Sequence, residues 1–337
     1  MKQFYYALQT LLRGKASVPF KVVSLGLGLA MSILLFARVA YEQSYDTCFK
    51  DYDRLYQVWS MFITKGENPE PQNMNMGPLA GAILENFSDE VEGATCTNYY
   101  LASWPLYYGN TRFNERKLCA DSLFFQTMGI EVLSGNPVQD LQQPNVVYLS
   151  ESLARRMFGG DNPIGKVISY NHERDLTVRG TFADLPDNTT VGAQAVISLP
   201  PAWAAKQMNY SWDGGDSYYQ YVRLRPGVDV DDLNARMKKM VEKYLPERDS
   251  WSYAAYVQPL RDTFRQQDDV RRMYTIMLTL GLSILFITAL NYALISISSL
   301  SRRAKMVGVH KCSGASGGGI FGMFMLETAI VVVLAQA

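Results

Sequence analysis

The stretch that decides the fold runs from residue 273 to residue 301 and reads MYTIMLTLGLSILFITALNYALISISSLS. It contains 29 residues and no charged side chain. An α-helix needs about 20 apolar residues to cross the hydrocarbon core of a bilayer, which is about 30 Å thick. The stretch is therefore predicted to be a transmembrane helix.

A second apolar run lies near the N-terminus, between Lys21 and Arg38. Its 16 uncharged residues are few for a span, but basic side chains at helix ends can extend to the headgroups. A transmembrane helix is predicted over residues 22–40. The alternative is a cleaved signal peptide, but residues 1–21 are a long leader and have the apolar stripe of an interfacial helix on the cytoplasmic face.

Small residues recur every four positions in this first span, at Ser24, Gly28 and Ser32. Such a row allows two helices to approach closely, although small residues also occur incidentally in apolar runs.

A third apolar run, residues 320–337, is interrupted only by Glu327. It predicts a third transmembrane helix over 317–337, and we expect these residues to be the front part of a longer polypeptide.

The charges are segregated along the chain although 32 basic residues balance 32 acidic ones. The two ends hold eight bases and one acid, Glu327, which leaves 24 bases against 31 acids between Arg38 and Arg272. Basic segments stay in the cytoplasm, so residues 41–272 are predicted to be extracytoplasmic. The net charge of zero argues against a nucleic-acid partner.

Residues 41–272 show mixed periodicity. Strands are predicted over 55–62 and 218–224, and helices over 78–87, 150–158 and 230–245. The last helix follows Asp229, a typical N-cap residue. The fold class is therefore an α-helical membrane protein with a large α+β extracytoplasmic domain inserted between transmembrane helices 1 and 2.

The four cysteines are too few for a disulfide scaffold, although Cys96 and Cys119 could pair in the exported block. The aromatic residues of 99–108 and 203–221 are interpreted mainly as strand and core residues, with a binding surface as the alternative.

Two motif matches are rejected as catalytic sites. Residues 160–167 have the Gly-x4-Gly-Lys spacing of a phosphate loop, but Val167 replaces the Mg²⁺-binding hydroxyl and a helix precedes the loop. Residues 314–318 match Gly-x-Ser-x-Gly, but no histidine follows His310 to serve as base. His172 and His310 also lack partners at metal-ligand spacing. We predict no catalytic residue, cofactor or metal.

Two longer patterns remain. The first comprises Ala120-Asp121-Ser122-Leu123-Phe124-Phe125, Gly135-Asn136-Pro137, Leu149-Ser150-Glu151-Ser152-Leu153-Ala154, Phe158-Gly159 and Asn162-Pro163-Ile164-Gly165-Lys166. The second comprises Asn291-Tyr292, Arg302-Arg303-Ala304-Lys305, Gly308-Val309, Lys311, Gly314-Ala315-Ser316 and Glu327. The first is similar to the signature of the MacB-like periplasmic core domain, and the second resembles the FtsX-like transmembrane domain. The chain thus resembles ABC permeases of the MacB/FtsX/LolE type, especially the long permeases of Bacteroidetes.

This resemblance implies a permease subunit without catalysis of its own. A separate ATPase is expected to dock on residues 302–316, the cytoplasmic coupling segment, and nucleotide-driven closure would move the exported domain. The implied coupling residues are Arg302, Arg303, Lys305, Gly308, Val309, Lys311, Gly314, Ala315 and Ser316. The implied intramembrane polar residues are Asn291 and Glu327. The family often has an acid where Met306 stands and bases where His310 and Gly317 stand, so this segment has fewer charges.

The resemblance also implies a smaller inserted part within the exported domain, at about residues 121–178. Other implied partners are a second permease copy or a homologous permease, and a periplasmic adaptor or hydrolase. The main alternative is a membrane-anchored sensor with an extracytoplasmic ligand-binding domain. A sensor should continue into a long soluble signalling segment, whereas here about 14 basic-rich residues lead back into apolar sequence. A membrane-anchored exported enzyme is disfavoured because catalytic groups are lacking.

Overall fold

The computed structural model describes residues 17–64, 66, 68–214, 217–246, 251–298, 304, 307–309, 311–314 and 316–336. Two compact units divide the chain. The membrane unit comprises residues 1–43 and 268–337, and the exported unit comprises residues 44–267.

The helices, in chain order, are α1 Ser17–Gln43, α2 Leu79–Asn86, α3 Phe124–Met128, α4 Pro137–Asp140, α5 Glu151–Phe158, α6 Pro201–Gln207, α7 Val230–Tyr244, α8 Leu260–Arg265, α9 Asp268–Ser298 and α10 Gly317–Gln336. The strands are β1 Leu55–Thr64, β2 Pro71–Gln72, β3 Val91–Asn98, β4 Leu106–Tyr108, β5 Thr111–Phe113, β6 Lys117–Ala120, β7 Val132–Ser134, β8 Val146–Ser150, β9 Val167–Tyr170, β10 Arg174–Phe182, β11 Ala195–Ser198, β12 Tyr219–Leu224 and β13 Trp251–Pro259. Two short 3₁₀ helices cover Tyr52–Arg54 and Tyr100–Ala102.

The membrane unit contains two helices that are long and apolar enough to cross a bilayer, over Val22–Gln43 of α1 and Asp268–Ser298 of α9. Helix α9 begins earlier than the predicted residue 273, since Asp268 and Asp269 occupy its first turn, where acids are favoured. Helix α10 is a shorter apolar helix over Gly317–Val333 by the same criterion, so the third span stays a prediction. The interfacial helix predicted at 1–21 lies largely outside the described residues.

The exported unit is built on one mixed sheet that joins all thirteen strands of the described chain. The path is β13-β1-β12-β3-β6-β11-β8-β10-β9-β4-β5, with β2 beside β1 and β7 beside β10. Most neighbours are antiparallel, and the pairs β6–β11 and β8–β10 are parallel. With its helices, this sheet confirms the predicted α+β class of the exported domain.

Two apolar cores cover opposite faces of the sheet. Successive residues of a strand point to opposite faces, and on β12 Tyr221 belongs to one core while Val222 belongs to the other. The Val222 core includes Leu233 and Met237 of α7. The Tyr221 core includes Phe124 of α3. The sheet is thus covered by helices on both faces.

The strongly periodic elements lie where the sequence predicts them. Helix α7 covers Val230–Tyr244, and the Asp229 carboxylate accepts hydrogen bonds from the backbone N–H groups of Asp231 and Asp232. The rejected phosphate loop is a turn before β9, in which Lys166 pairs with Asp161 at 2.8 Å.

Many short strands were not predicted. The smaller part proposed at about 121–178 stays a prediction, since β8, β9 and β10 belong to the common sheet.

The thiols left open by the sequence are free. Cys96 and Cys119 are buried at 1% and 0% exposure. Cys119 lies opposite Asn98 in the β3–β6 pair, so the two cysteines are diagonal neighbours and not direct cross-strand partners. Cys48 and Cys312 are exposed.

Candidate functional site

Most described residues of the predicted coupling segment are solvent-exposed, and Val307 is half-buried. Val307–Val309 and Lys311–Cys312 are helical, and Gly308, Val309 and Lys311 are exposed. A turn then ends the short helix, because Gly314 adopts a φ of +85° and its N–H donates to Lys311 O at 3.0 Å. Ser316 begins the next helix: its Oγ accepts from Gly319 N–H at 3.2 Å.

Four of the predicted coupling residues, Arg302, Arg303, Lys305 and Ala315, lie outside the described residues. Five are described, namely Gly308, Val309, Lys311, Gly314 and Ser316. An added Cβ on Gly308 would meet no atom of the described residues within 4 Å, so this face of the short helix is open toward that part of the chain. The described part therefore has the form of an exposed helical turn between two apolar helices.

Helices α1 and α9 pack closely through small residues. A Cβ added to Gly28 would overlap the side chain of Thr288. One turn further on, Ser32 is 2% exposed and its hydroxyl donates to Gly28 O at 2.9 Å and lies 3.3 Å from Gly281 O. The small-residue row noted in the sequence thus lies at this contact at Gly28 and Ser32.

Of the two polar residues predicted inside the membrane, the structure describes the side chain of one. Asn291 is exposed on α9. Its neighbour Tyr292 contacts α10 instead, where its hydroxyl lies 3.0 Å from Thr328 Oγ1. The side chain of Glu327 lies outside the described residues. This polar contact between α9 and α10 joins residues next in sequence to Asn291 and Glu327, whose roles stay predictions.

A buried carboxylate fixes the chain where it enters the exported unit. Asp46 is 1% exposed and accepts hydrogen bonds from Thr189 Oγ1 at 2.7 Å, Thr190 N at 2.8 Å and Thr190 Oγ1 at 2.8 Å. Asn188 adds a bond from its Nδ2 to Ser44 Oγ at 2.7 Å. Burial raises the pKa of Asp46, while the threonine donors oppose this rise. We call these contacts the Asp46 network.

A ring pair joins the entry and exit of the exported unit. Tyr45 stacks on Phe264 of α8 with ring centroids 3.7 Å apart and planes 8° from parallel. Tyr45 follows α1 closely in the chain, and Phe264 closely precedes α9. The two chain ends of the unit are thus bound to each other. Sequence reasoning missed both features, because their partners are about 140 to 220 positions apart.

Comparison with known proteins gives a family match. Residues 22–240 match the model described as the MacB-like periplasmic core domain. The chain is 21% identical over 247 residues to the macrolide export ATP-binding/permease protein MacB of Mannheimia succiniciproducens, covering 68% of this chain and 35% of that protein. The MacB protein of Neisseria gonorrhoeae is 22% identical over 250 residues, covering 72% and 37%. The chain thus spans about a third of the length of these relatives.

One solved structure has a similar fold over about two thirds of this chain. A domain of a protein assigned as a permease in Porphyromonas gingivalis has a TM-score of 0.54 and 26% identity, covering 65% of this chain and 99% of that one. The periplasmic region of MacB from Actinobacillus actinomycetemcomitans gives a TM-score of 0.43 and 17% identity, covering 62% and 91%.

Proposed function

The chain belongs to the family of the MacB-like periplasmic core domain, and from this premise we propose that it is the transmembrane permease subunit of an ABC transporter. It is a membrane protein with an extracytoplasmic segment. We place it in the bacterial inner membrane as a multi-pass protein, with residues 41–272 outside the cytoplasm. The subunit has no catalysis of its own in this proposal, and the ATPase is a separate chain.

The order of units along the chain supports this proposal most strongly. The sheet-built unit, residues 44–267, lies in sequence between two helices that are long and apolar enough to span. The second of these helices leads into the exposed coupling segment and then into apolar α10. A sensor would need a soluble signalling segment at that point, whereas the chain returns to apolar sequence.

Coupling requires that movement of the membrane helices is transmitted to the exported unit and is not absorbed by flexible connections. The Asp46 network ties the residues after α1 to the 188–190 loop. The Tyr45–Phe264 stack ties the same residues to α8. Because these contacts are buried or aromatic and lie next to both chain crossings, they would make the two helices act on one rigid body.

The same arrangement serves export, lipoprotein release or mechanotransmission to a hydrolase outside the cytoplasm, since each requires ATP-driven motion of the exported unit. The proposed partners are an ABC ATPase, a second permease copy or homologous permease, a periplasmic adaptor or hydrolase, and the lipid bilayer.

The proposal is tested at Gly308, whose open helical face is the proposed ATPase contact. The full protein is co-expressed with an ABC ATPase of the same organism that co-purifies with it, and ATPase stimulation and subunit binding are measured in proteoliposomes. Overpacking an interface costs about 1–3 kcal/mol, so Gly308→Trp should weaken ATPase binding roughly tenfold or more. Gly308 is preferable to Gly314, whose φ of +85° would add backbone strain.

Gly81→Trp is the matched control, since Gly81 is an exposed helical glycine of the exported unit with equally open surroundings. It should leave ATPase stimulation and binding unchanged. Wild-type protein that neither binds nor stimulates the ATPase would contradict the permease role. Normal coupling in Gly308→Trp would exclude this face of the segment as the docking site.

A further inference from the structure

One arginine of the exported unit lies against two aromatic rings. Arg174 is on β10, directly opposite Tyr170 of β9. Its Cζ lies 5.2 Å from the centroid of the Tyr170 ring and 4.6 Å from that of the Trp203 ring. Because a guanidinium is attracted to the face of an aromatic ring at such distances, these contacts fix the position of the charge.

The guanidinium of Arg174 has one nitrogen that an acceptor can reach. The residue is half-buried, and its Nε and Nη2 are buried without a hydrogen-bond partner among the described residues. Nη1 also has no partner in that part of the chain, but it is not buried. A charged group that is partly removed from water and has no acceptor is energetically unfavourable until a partner supplies one.

No carboxylate of the described residues neutralises Arg174. Burial lowers the pKa of its guanidinium, and no acidic side chain in the described chain opposes this shift. Asp175 follows Arg174 on β10 and points to the other face of the sheet, because successive residues of a strand alternate. Glu173 accepts a hydrogen bond from Asn171 Nδ2 at 2.9 Å. The charge of Arg174 is therefore available to another molecule.

A turn with two strongly exposed aromatic side chains lies next to this arginine. Trp104 is 57% exposed and Tyr100 is 54% exposed. Trp104 N donates to the Tyr170 hydroxyl at 3.1 Å, and this hydroxyl donates to Leu101 O at 2.9 Å. Since Arg174 contacts the ring of the same tyrosine, the turn and the cation are neighbours on the surface of the exported unit.

The residue types of this surface are those enriched where proteins bind proteins. Tryptophan, tyrosine and arginine dominate interface hot spots, and a guanidinium is suited to pairing with a carboxylate. Lys206, exposed one turn after Trp203 on α6, adds a second positive charge. A symmetric contact with a second copy would place Arg174 against Arg174, which like charges disfavour. The charge of the surface thus favours an acidic partner.

We propose that Trp104, Arg174 and Trp203 form a docking surface for an acidic segment of a partner protein, which we call the Arg174 surface. A carboxylate side chain of the partner accepts a hydrogen bond from Arg174 Nη1, and an apolar side chain next to it packs on Trp104. The rings hold the cation before binding, which lowers the entropy cost of association. This inference does not depend on ATPase coupling, so either proposal can fail without the other.

Photo-crosslinking of the full chain in its native membranes tests the Arg174 surface. The probe is p-benzoylphenylalanine, placed at Tyr100 and, as a control, at Leu133, which is 46% exposed on β7. Tandem mass spectrometry identifies the captured segment. We expect the probe at Tyr100, and not at Leu133, to capture a protein segment with Asp or Glu within a few residues of the crosslink. Arg174→Gln should reduce the yield roughly tenfold, whereas Arg112→Gln, at an exposed arginine on β5, should not.

A synthetic peptide with the captured sequence then tests the carboxylate contact. Its affinity for the purified full chain in micelles should fall roughly tenfold when its acid is replaced by the corresponding amide, and by a similar factor in Arg174→Gln. Because Arg174 is half-buried, Trp104→Ala is a second variant that changes an exposed side chain and should also weaken binding. Arg174→Glu should prefer a peptide in which arginine replaces the acid.

Capture of a segment without an acid, of a second copy of this chain, or of lipid instead of protein would overturn the proposal. So would the absence of a crosslink at Tyr100, equal affinity for the acid and amide peptides, or wild-type affinity in both Arg174→Gln and Trp104→Ala.

Discussion

Asp121 satisfies three donors with one carboxylate. Its Oδ1 accepts from Thr95 Oγ1 at 2.7 Å and from Leu123 N at 3.0 Å, and its Oδ2 accepts from Cys96 N at 2.7 Å. These bonds join β3 to the turn before α3. Burial raises the pKa of Asp121 to about 6, although the three donors oppose the rise.

We predict that Asp121→Asn destabilises the exported unit by about 1–3 kcal/mol. The asparagine amide can present only one oxygen, so its NH₂ group would face one of the three donors. The measurement is the thermal unfolding midpoint of the full chain in micelles. Ser122→Ala, at the partly exposed neighbouring position, is the control and should change the midpoint little. An unchanged midpoint in Asp121→Asn would show that the carboxylate is replaceable.

The raised pKa of Asp121 is tested by measuring the stability of wild type and of Asp121→Asn as a function of pH. Between about pH 4 and pH 6 the unfolded chain releases the Asp121 proton while the folded chain retains it. The part of the stability that comes from the raised pKa of Asp121 is therefore complete below pH 4 and lost as pH rises through 6, while the hydrogen bonds of the carboxylate remain. The stability difference between wild type and Asp121→Asn should narrow over this window, and a constant difference would contradict the raised pKa.

Single residues were predictable from sequence only where their partners are local. Asp229 caps α7 through N–H groups two and three positions away, and its role followed from its position before an amphipathic run. The partners of Asp46 are more than 140 positions away. No periodicity or spacing indicates such a pairing. Arg223 is a similar case, because nothing in the sequence around this strand residue indicates that the sheet buries its side chain.

At the scale of elements, the contact between α1 and α9 depends on the missing side chain of Gly28. We predict that Gly28→Ala weakens this packing by about 1–3 kcal/mol, because its Cβ would overlap Thr288. Thr288→Ala removes the overlapping Oγ1 and Cγ2 atoms but leaves its Cβ 2.7 Å from the added Cβ, so Gly28→Ala with Thr288→Ala should recover part of the loss. Cross-linking between cysteines placed in α1 and α9, together with thermal unfolding in micelles, measures the packing.

Gly322→Ala in α10 is the matched control, since a Cβ there would meet no atom within 4 Å. It should leave cross-linking unchanged. Equal cross-linking in Gly28→Ala and wild type, or no recovery in the double variant, would mean that the helices do not pack through this position.

Elements were predicted best where one face repeats over several turns. Helix α7 has such a repeat, and the two long apolar helices were predicted from the length of their uncharged runs; the bounds of all three are within a few residues of those predicted. Strands β4, β5 and β7 have three residues each, too few for a periodic signal. The sheet order was also beyond prediction, since β1 lies between β12 and β13 from the far end of the exported unit.

At the scale of the whole molecule, the charge distribution predicts which unit faces the outside. The middle of the chain holds 24 bases against 31 acids, and the ends are basic. This distribution was readable from sequence because orientation in a membrane depends on where lysine and arginine occur, not on tertiary contacts. The division at residues 43 and 268 is close to the predicted boundaries at 40 and 273.

Labelling of the two exposed thiols, Cys48 and Cys312, tests this orientation. In right-side-out membrane vesicles, a membrane-impermeant maleimide should label Cys48 and spare Cys312 until the vesicles are permeabilised. Cys96 and Cys119 are buried and should remain unlabelled throughout, so each signal is assigned by replacing Cys48 or Cys312 with serine. Burial and the adjacent Asp46 raise the pKa of Cys48 to about 11, so its thiolate is scarce and the reaction must be slow near pH 7 and faster at pH 9. Labelling of Cys312 before permeabilisation, with Cys48 protected, would reverse the topology and remove the coupling segment from the side on which ATP is available.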